Sequence, residues 1–471
     1  MSRHRVLRTR QPMKSFITIV FCLSAAIFLL NSRLRNSDRL TTTNYPTSHS
    51  KTPRCDVDLD LFRSYGYNES IEYERWDITV RQSQNFNGYS DHLGVPVPTF
   101  ETIHLDTEHE NLLHGVPCPP PVTIDAPVPV PQVDASHLVF GVSTSLERLD
   151  DSLDAFAHWA GGTNARIIAM VEPASPEARA WITHRARDLR IRLTMIDTEE
   201  ELLDRYFHLT RIIVQARDQT TQWGVIIDDD TFFPSMSNLV DRLATYDASK
   251  PQYIGALSEN FDQMGIFYYI AYGGAGIFLS MPLLEELDAV YDECYEFKDN
   301  GDKRVAQCIY MHTTTKLTWD RGLFQLDLQN DVSGFYESGR PLPLSLHHWK
   351  SWADVDVLAL GKVAPICGDD CQLRRWRISD RWFLVNGFSL VEYSSPMDDL
   401  VSMEQTWDPS EWARDRGYAW SLGPLRPKDE GKVSFRLRSA IPDGKTLKQI
   451  YIQEPDENRP PRVLEVVWSV G

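Results

Sequence analysis

The chain has 471 residues, a length that points to two or three domains. Charged residues make up 24% and the hydrophobic set 42%, as in a globular protein with a sizeable core, while Lys plus Arg number 48 against 66 Asp plus Glu, a net charge of −18. So acidic a chain argues against a nucleic-acid partner, because that affinity rests on neutralising phosphates.

The charge is uneven. Through Leu40 there are eight Lys or Arg and one Asp, which sets the N-terminus apart from the acidic remainder. Ser15 to Leu30 (SFITIVFCLSAAIFLL) is uncharged, with Arg3, Arg5, Arg8, Arg10 and Lys14 before it and Arg33, Arg35 and Arg39 after it. As a helix it spans roughly 24 Å at ~1.5 Å per residue, best matched to a thin early-secretory bilayer of roughly 27 Å. The flanking charges favour a cytoplasmic N-terminus. Residues 1–14 therefore read as a cytoplasmic tail, 15–30 as a transmembrane signal anchor and the polar residues 31–54 as a stem. The alternative is a cleaved signal peptide, but the small residues Ser24 to Ala26 lie inside the apolar run with Ile27 to Leu30 still to come.

A luminal body agrees with two later features. Asn68-Glu69-Ser70 is an N-x-S/T acceptor, and six cysteines follow the apolar run. Nearness in sequence suggests Cys294–Cys308 and Cys367–Cys371, leaving Cys55–Cys118; the alternative is that some are free buried thiols. Residues 55–135 form an N-terminal segment of mixed pattern. It ends in Pro117 to Pro131, seven prolines in fifteen residues, which should be extended and absent from any sheet interior.

From residue 136 short apolar runs alternate with helical patterns. His137 to Val142, Arg166 to Val171, Arg190 to Ile196 and Trp223 to Ile227 read as strands. Amphipathic stretches around Leu149 to Trp159 and from Leu202 to Ala216 read as helices. The alternation predicts an α/β fold with a mixed, mainly parallel sheet, whose ligand sits beyond the carboxyl ends of the strands.

Asp228-Asp229-Asp230 stands at such an end. Three clustered carboxylates are costly unless a cation or donors offset their repulsion, and Asp228 and Asp230, two apart on an extended segment, are placed to share one divalent ion and a diphosphate. The alternative is an acidic first turn of a helix starting near Thr231. The phosphatase pattern D-x-D-x-T/V fails by one residue at Phe232. Pro251 to Leu257 gives another strand. In Ala271 to Ser280 (AYGGAGIFLS), Gly273, Gly274 and Gly276 remove side chains where a ligand or a second backbone approaches. Ser280 is placed to cap the next helix, with Pro282 in its first turn.

In order, the anchor, the stem, WGVIIDDDTFF, YIGALSEN, YGGAGIFLS, C-x13-C around GDKRVAQC, and PLSLHHWKSW resemble glycosyltransferase family 31, the fringe and core-1 β1,3-galactosyltransferase group, in its fungal branch. The resemblance spans roughly Ser136 to Trp352. It implies a GT-A fold, Rossmann-like in its nucleotide half, and inverting, metal-dependent transfer of a hexose from a UDP-sugar to a glycan or glycoprotein, with β1,3 linkage, by a Golgi or ER type II membrane enzyme. The catalytic domain would be 136–365, followed by a β-rich extension at 366–471.

Carried onto this chain, the resemblance makes Asp228 and Asp230 the D-x-D and Asp229 its assistant through the ribose or an outer bond. A histidine from a late strand completes the metal set at His347, with His348 the alternate, and an imidazole slightly favours Mn²⁺. Asp302, ahead of a cysteine-containing helix, becomes the base, with helix capping its bland role. Gly273, Gly274 and Gly276 would line the sugar pocket, and Trp349 or Trp352 would offer a stacking face. The competing reading is a non-catalytic relative that binds glycan or a partner enzyme. Neither donor sugar nor oligomeric state is legible.

Overall fold

The computed structural model describes residues 54–105, 116–129, 132–299, 301–353, 355–409, 418–419, 421–457 and 459–471. The tail, the anchor at 15–30 and nearly all of the stem lie outside the described residues. Among the described residues no helix is long and apolar enough to cross a membrane.

Seven strands form the first sheet. In spatial order they are Leu317–Trp319, Tyr253–Gly255, Ile277–Ser280, Trp223–Ile227, Leu138–Ser143, Arg166–Val171 and Arg192–Asp197. The last four pair in parallel, and Ile277–Ser280 runs antiparallel to both of its neighbours, so the sheet is mixed as expected. Successive side chains of a strand point to opposite faces, so one strand feeds two cores. Leu138, Phe140 and Val142 face Leu149, Leu153, Phe156 and Trp159 of helix Leu146–Ala160. Val139 instead joins Leu209 and Ile213 of helix Leu202–Gln215.

The first four strands lie in the order third, second, first, fourth. The strand order therefore reverses between Leu138–Ser143 and Trp223–Ile227, and a crevice opens at their carboxyl ends. Ser145 caps helix Leu146–Ala160 by accepting from the Arg148 amide, which starts that helix at the crevice.

The second sheet draws on both ends of the described chain. Ser70–Ser83 pairs in parallel with Arg462–Val470, from Glu72 beside Arg462 to Val80 beside Val470. Thr446–Gln453, Val433–Asp443, Ser389–Glu392, Trp382–Val385 and Arg375–Arg377 continue the sheet on one side, and Glu101–His104 borders it on the other. Trp76, Ile78, Val80, Trp376, Trp468 and Phe435 make its core, each such burial contributing roughly 1.5–3 kcal/mol. The proline-rich stretch is extended where described, and among the described residues Val122–Pro127 pairs only with Ile78–Ser83, a location proline tolerates.

All three cysteine pairs form as expected: Cys55–Cys118, Cys294–Cys308 and Cys367–Cys371. Ser280 occupies the N-cap position of helix Met281–Ala289 without capping it. Its hydroxyl is engaged by the Lys250 carbonyl and the Gln252 amide instead.

Candidate active and metal site

Strand Trp223–Ile227 is buried throughout, and its last residue delivers Asp228, Asp229 and Asp230 into the crevice. No helix begins at Thr231. The next one is Met236–Leu243, capped by Ser235, so the triplet is not the acidic first turn of a helix. The Asp228 amide donates to the Thr231 hydroxyl, which itself donates to the Gly274 carbonyl, tying the acidic turn to the glycine segment.

His347 closes the cluster. Its Nε2 lies 2.9 Å from Asp230 Oδ1 and 3.4 Å from Asp228 Oδ2. No extended late strand carries it. A single antiparallel bridge joins Leu346 to Phe232, both amides donating at 2.8 Å, and so clips the histidine segment beside Asp230.

The Nδ1 of His347 stands 3.0 Å from the Gln325 carbonyl, so that nitrogen carries the hydrogen. A neutral ring then aims the Nε2 lone pair at two carboxylates, an arrangement of acceptors alone that requires a proton or a cation. Without a metal the proton is held. Burial opposes the charged ring, but the bonds to Asp228 and Asp230 and their charges raise His347 to about 10. Burial likewise works against ionised Asp230, yet the His347 bond and charge hold it at about 2. Asp230, His347 and His348 also present ligand atoms within one ion's reach of each other. One nitrogen with carboxylate oxygens fits a divalent first-row ion.

Asp229 is held from behind. Arg148 donates from Nε at 2.7 Å and from Nη2, Thr144 donates through its hydroxyl, and the Lys350 ammonium stands 3.9 Å away. Both carboxylate oxygens are thus engaged, which makes Asp229 a support for the acidic turn.

The glycines admit this protein's own side chains. A Cβ on Gly274 would stand 2.1 Å from the His347 ring, and one on Gly273 would stand 1.8 Å from the Tyr206 hydroxyl and 3.0 Å from Asp228 Oδ1. Gly276 adopts a φ of +95°, the left-handed region that favours glycine. The Gly273 amide donates to Asp302 at 3.0 Å and the Ala275 amide to Gln325, so these two amides already have partners.

Asp302 sits inside the first turn of helix Gly301–His312, and its carboxylate accepts the Gly273 amide from across the site. Burial and the Asp228 charge push it up to about 7, against the pull of Gly273, Tyr206 and His347. A carboxylate near neutrality matches the requirement of a general base.

Beyond His347 the rings of His348 and Trp352 follow in turn, with centroids 3.6 Å apart and planes tilted by 37° and 34°. His348 adopts a φ of +61°, and its Nε2 lies 3.1 Å from Asp327. Glu259 is buried nearby, accepts the Leu326 amide at 2.7 Å, and is raised to about 8 by burial and by the Asp327 charge. Trp352 is 44% exposed, whereas Trp349 packs on the main core.

Sequence reasoning missed Arg148, Tyr206 and Gln325, which arrive from distant segments that carry no motif. Lys350 had a signal, because it lies three residues after His347.

A family model described as a protein of unknown function, DUF604, matches residues 262–355, a stretch that contains Gly273, Asp302 and His347. No curated protein sequence matches the chain. Among solved structures the chain is similar to the mannosyltransferase PcManGT from Pyrobaculum calidifontis in complex with GDP-Man and Mn²⁺, at 13% identity over 40% of this chain and 56% of that one, TM-score 0.30. It is similar to the glycosyltransferase GlyE of Streptococcus pneumoniae TIGR4 at 13% identity over 44% and 53%, TM-score 0.29. Mouse xyloside xylosyltransferase 1 in its apo form matches at 11% identity over 42% and 87%, TM-score 0.27. The chain spans about half the length of the first two.

Proposed function

We propose that this protein is a metal-dependent glycosyltransferase of the GT-A type, moving a hexose from a UDP-sugar to a hydroxyl of a glycan or glycoprotein with inversion, and probing for a β1,3 product follows from the family resemblance. The observation that carries the reading is the meeting of Asp228, Asp230 and His347 at the point where the strand order reverses, with Asp302 one hydrogen bond from the same glycine segment.

Asp228, Asp230 and His347 would hold the ion, Mn²⁺ by the nitrogen in the set, and His348 is within reach. Bound there, the ion supplies positive charge against the departing diphosphate. Arg148 and Thr144 fix Asp229 and with it the acidic turn. Gln325 fixes the His347 ring with Nε2 facing the carboxylates. Asp302 accepts the acceptor's hydroxyl proton as the new C–O bond forms and the bond to the diphosphate breaks. The reading places this body in the lumen of the Golgi or ER behind a type II anchor at 15–30; the exposure of Asn68 agrees with use of that site as a glycan acceptor.

The test is UDP-hexose hydrolysis and transfer by the full chain with and without Mn²⁺, scanned across UDP-hexoses. Metal-dependent turnover that Asp302→Asn abolishes supports the reading. Absence of Mn²⁺-assisted UDP binding by calorimetry overturns it.

A further inference from the structure

A cleft of about 1040 Å³, lined by neither the acidic triplet nor His347, lies between the 86–92 segment, helix Met236–Leu243, the 339–344 segment and strand Arg375–Arg377. Five arginines line it against three aspartates, in a protein whose net charge is −18. Arg242 is satisfied by Asp320 at 2.7 Å. The other four are Arg340, Arg374, Arg375 and Arg377.

Two of these have no carboxylate partner among the described residues. Arg375 donates to the carbonyls of Glu337 at 3.1 Å and Leu400 at 3.2 Å. Arg340 donates from Nε to the Ser338 hydroxyl at 3.0 Å and lies over the rings of Phe335 and Phe324. Burial lowers Arg340 to about 10 and also pulls Arg375 down, with the Arg377 and Arg426 charges adding to the latter. Arg374 and Arg377 meet Asp91 and Asp380 only at the rim, where those aspartates are 93% and 79% exposed. Such exposed pairs contribute little. The lining also holds Asp370, which accepts from Asn238, and Asp241.

Carbonyls and ring faces orient a guanidinium but do not neutralise it, and a half-buried uncompensated charge is costly. The fork of five donors is suited to a carboxylate, sulfate or phosphate. The backbone is shaped around one of them. Gly339 has a φ of +70°, and a Cβ there would stand 2.5 Å from Arg375 Nε, so glycine keeps that guanidinium in place. Rings alternate with the cations: Arg374 over Tyr89, and Arg375 and Arg377 both over Phe383.

We infer that this arginine cleft binds an anionic glycan, a sugar chain bearing carboxylate or sulfate groups, at a site separate from the metal cluster. Guanidinium forks take the anionic groups while Phe86, which also lines the cleft, offers an apolar face to a sugar ring. The choice of glycan rests on the sugar-transfer reading; the anion preference rests on the arginines alone.

The test titrates the full chain by calorimetry with a heparin-derived hexasaccharide, a hexagalacturonate, maltohexaose, an oligothymidylate and a polyglutamate peptide, and separately with UDP plus Mn²⁺. Binding of either acidic hexasaccharide, with maltohexaose inert, supports the proposal, and which one binds separates sulfate from carboxylate. Arg375→Lys keeps the charge and loses the fork, and Arg377→Gln removes a guanidinium held only by the Met397 carbonyl at 3.5 Å, the exposed Asp380 at 3.9 Å and the Phe383 ring. Each should weaken the hexasaccharide about tenfold or more while UDP binding stays unchanged. Unaltered affinity in both variants, no preference over maltohexaose, or equally tight oligothymidylate or polyglutamate binding overturns it. Loss of UDP binding by the wild-type chain sinks the transferase reading and leaves the anion site standing.

Discussion

Gly274 and His347 are in contact to the point that the glycine's missing side chain is what lets the imidazole in: a Cβ there would sit 2.1 Å from both Cε1 and Nδ1 of the ring. That ring in turn faces Asp230 and Asp228. Gly274→Ala should therefore displace His347 and weaken Mn²⁺-dependent UDP binding about tenfold or more, while circular dichroism stays native. Unchanged calorimetric affinity would remove His347 from the metal set.

As the proposed base, Asp302 would act only when deprotonated. Burial and the Asp228 charge raise it to about 7, so transfer should fall as pH drops below that value and level off above it. A cation beside Asp228 offsets part of the repulsion, placing the inflection at about 7 or lower. Asp302→Asn should abolish this inflection and reduce kcat by about a hundredfold to ten-thousandfold, with UDP affinity near that of the wild type. Retained turnover in a pH–rate series eliminates Asp302 as the base.

The bridge Cys294–Cys308 ties helix Tyr291–Tyr295 to the helix that carries Asp302 across a separation of 14 residues. A loop of that size corresponds to about 3 kcal/mol of stabilisation. The double variant Cys294→Ala, Cys308→Ala should lose about that much in urea unfolding. A midpoint unmoved from wild type would show that packing alone holds the helix.

Trp468 is buried in the second sheet, and its indole donates to Gln449 Oε1 at 2.7 Å. Trp468→Ala should cost about 3–5 kcal/mol. Because its strand pairs with Ser70–Ser83, deletion of 462–471 should also expose the segment held by Cys55–Cys118 to proteolysis. Unaltered digestion there would argue that the N-terminal strand stands without its partner.

The first sheet was largely readable from local pattern. Arg166–Val171 and Trp223–Ile227 match their expected bounds because a strand covered on both faces is a continuous apolar run ended by a polar residue. Short strands were harder: Tyr253–Gly255 is three residues within the seven expected, since an apolar run does not say where pairing stops. The acidic triplet was visible as a cluster whose charge demands an explanation, and the cysteine pairs followed chain proximity.

What the amino-acid order determined on its own is the set of groups: an apolar strand ending in three carboxylates, a glycine segment without Cβ atoms, an aspartate at a helix start and a pair of histidines. Those are local properties of composition and spacing. The tertiary structure alone decided their partnerships, because contacts across a sheet leave no period in the sequence. It turned Asp229 to Arg148, fixed the His347 ring through Gln325, brought the first described long strand beside the last, and left Arg340 and Arg375 at a cleft with no carboxylate partner of their own among the described residues.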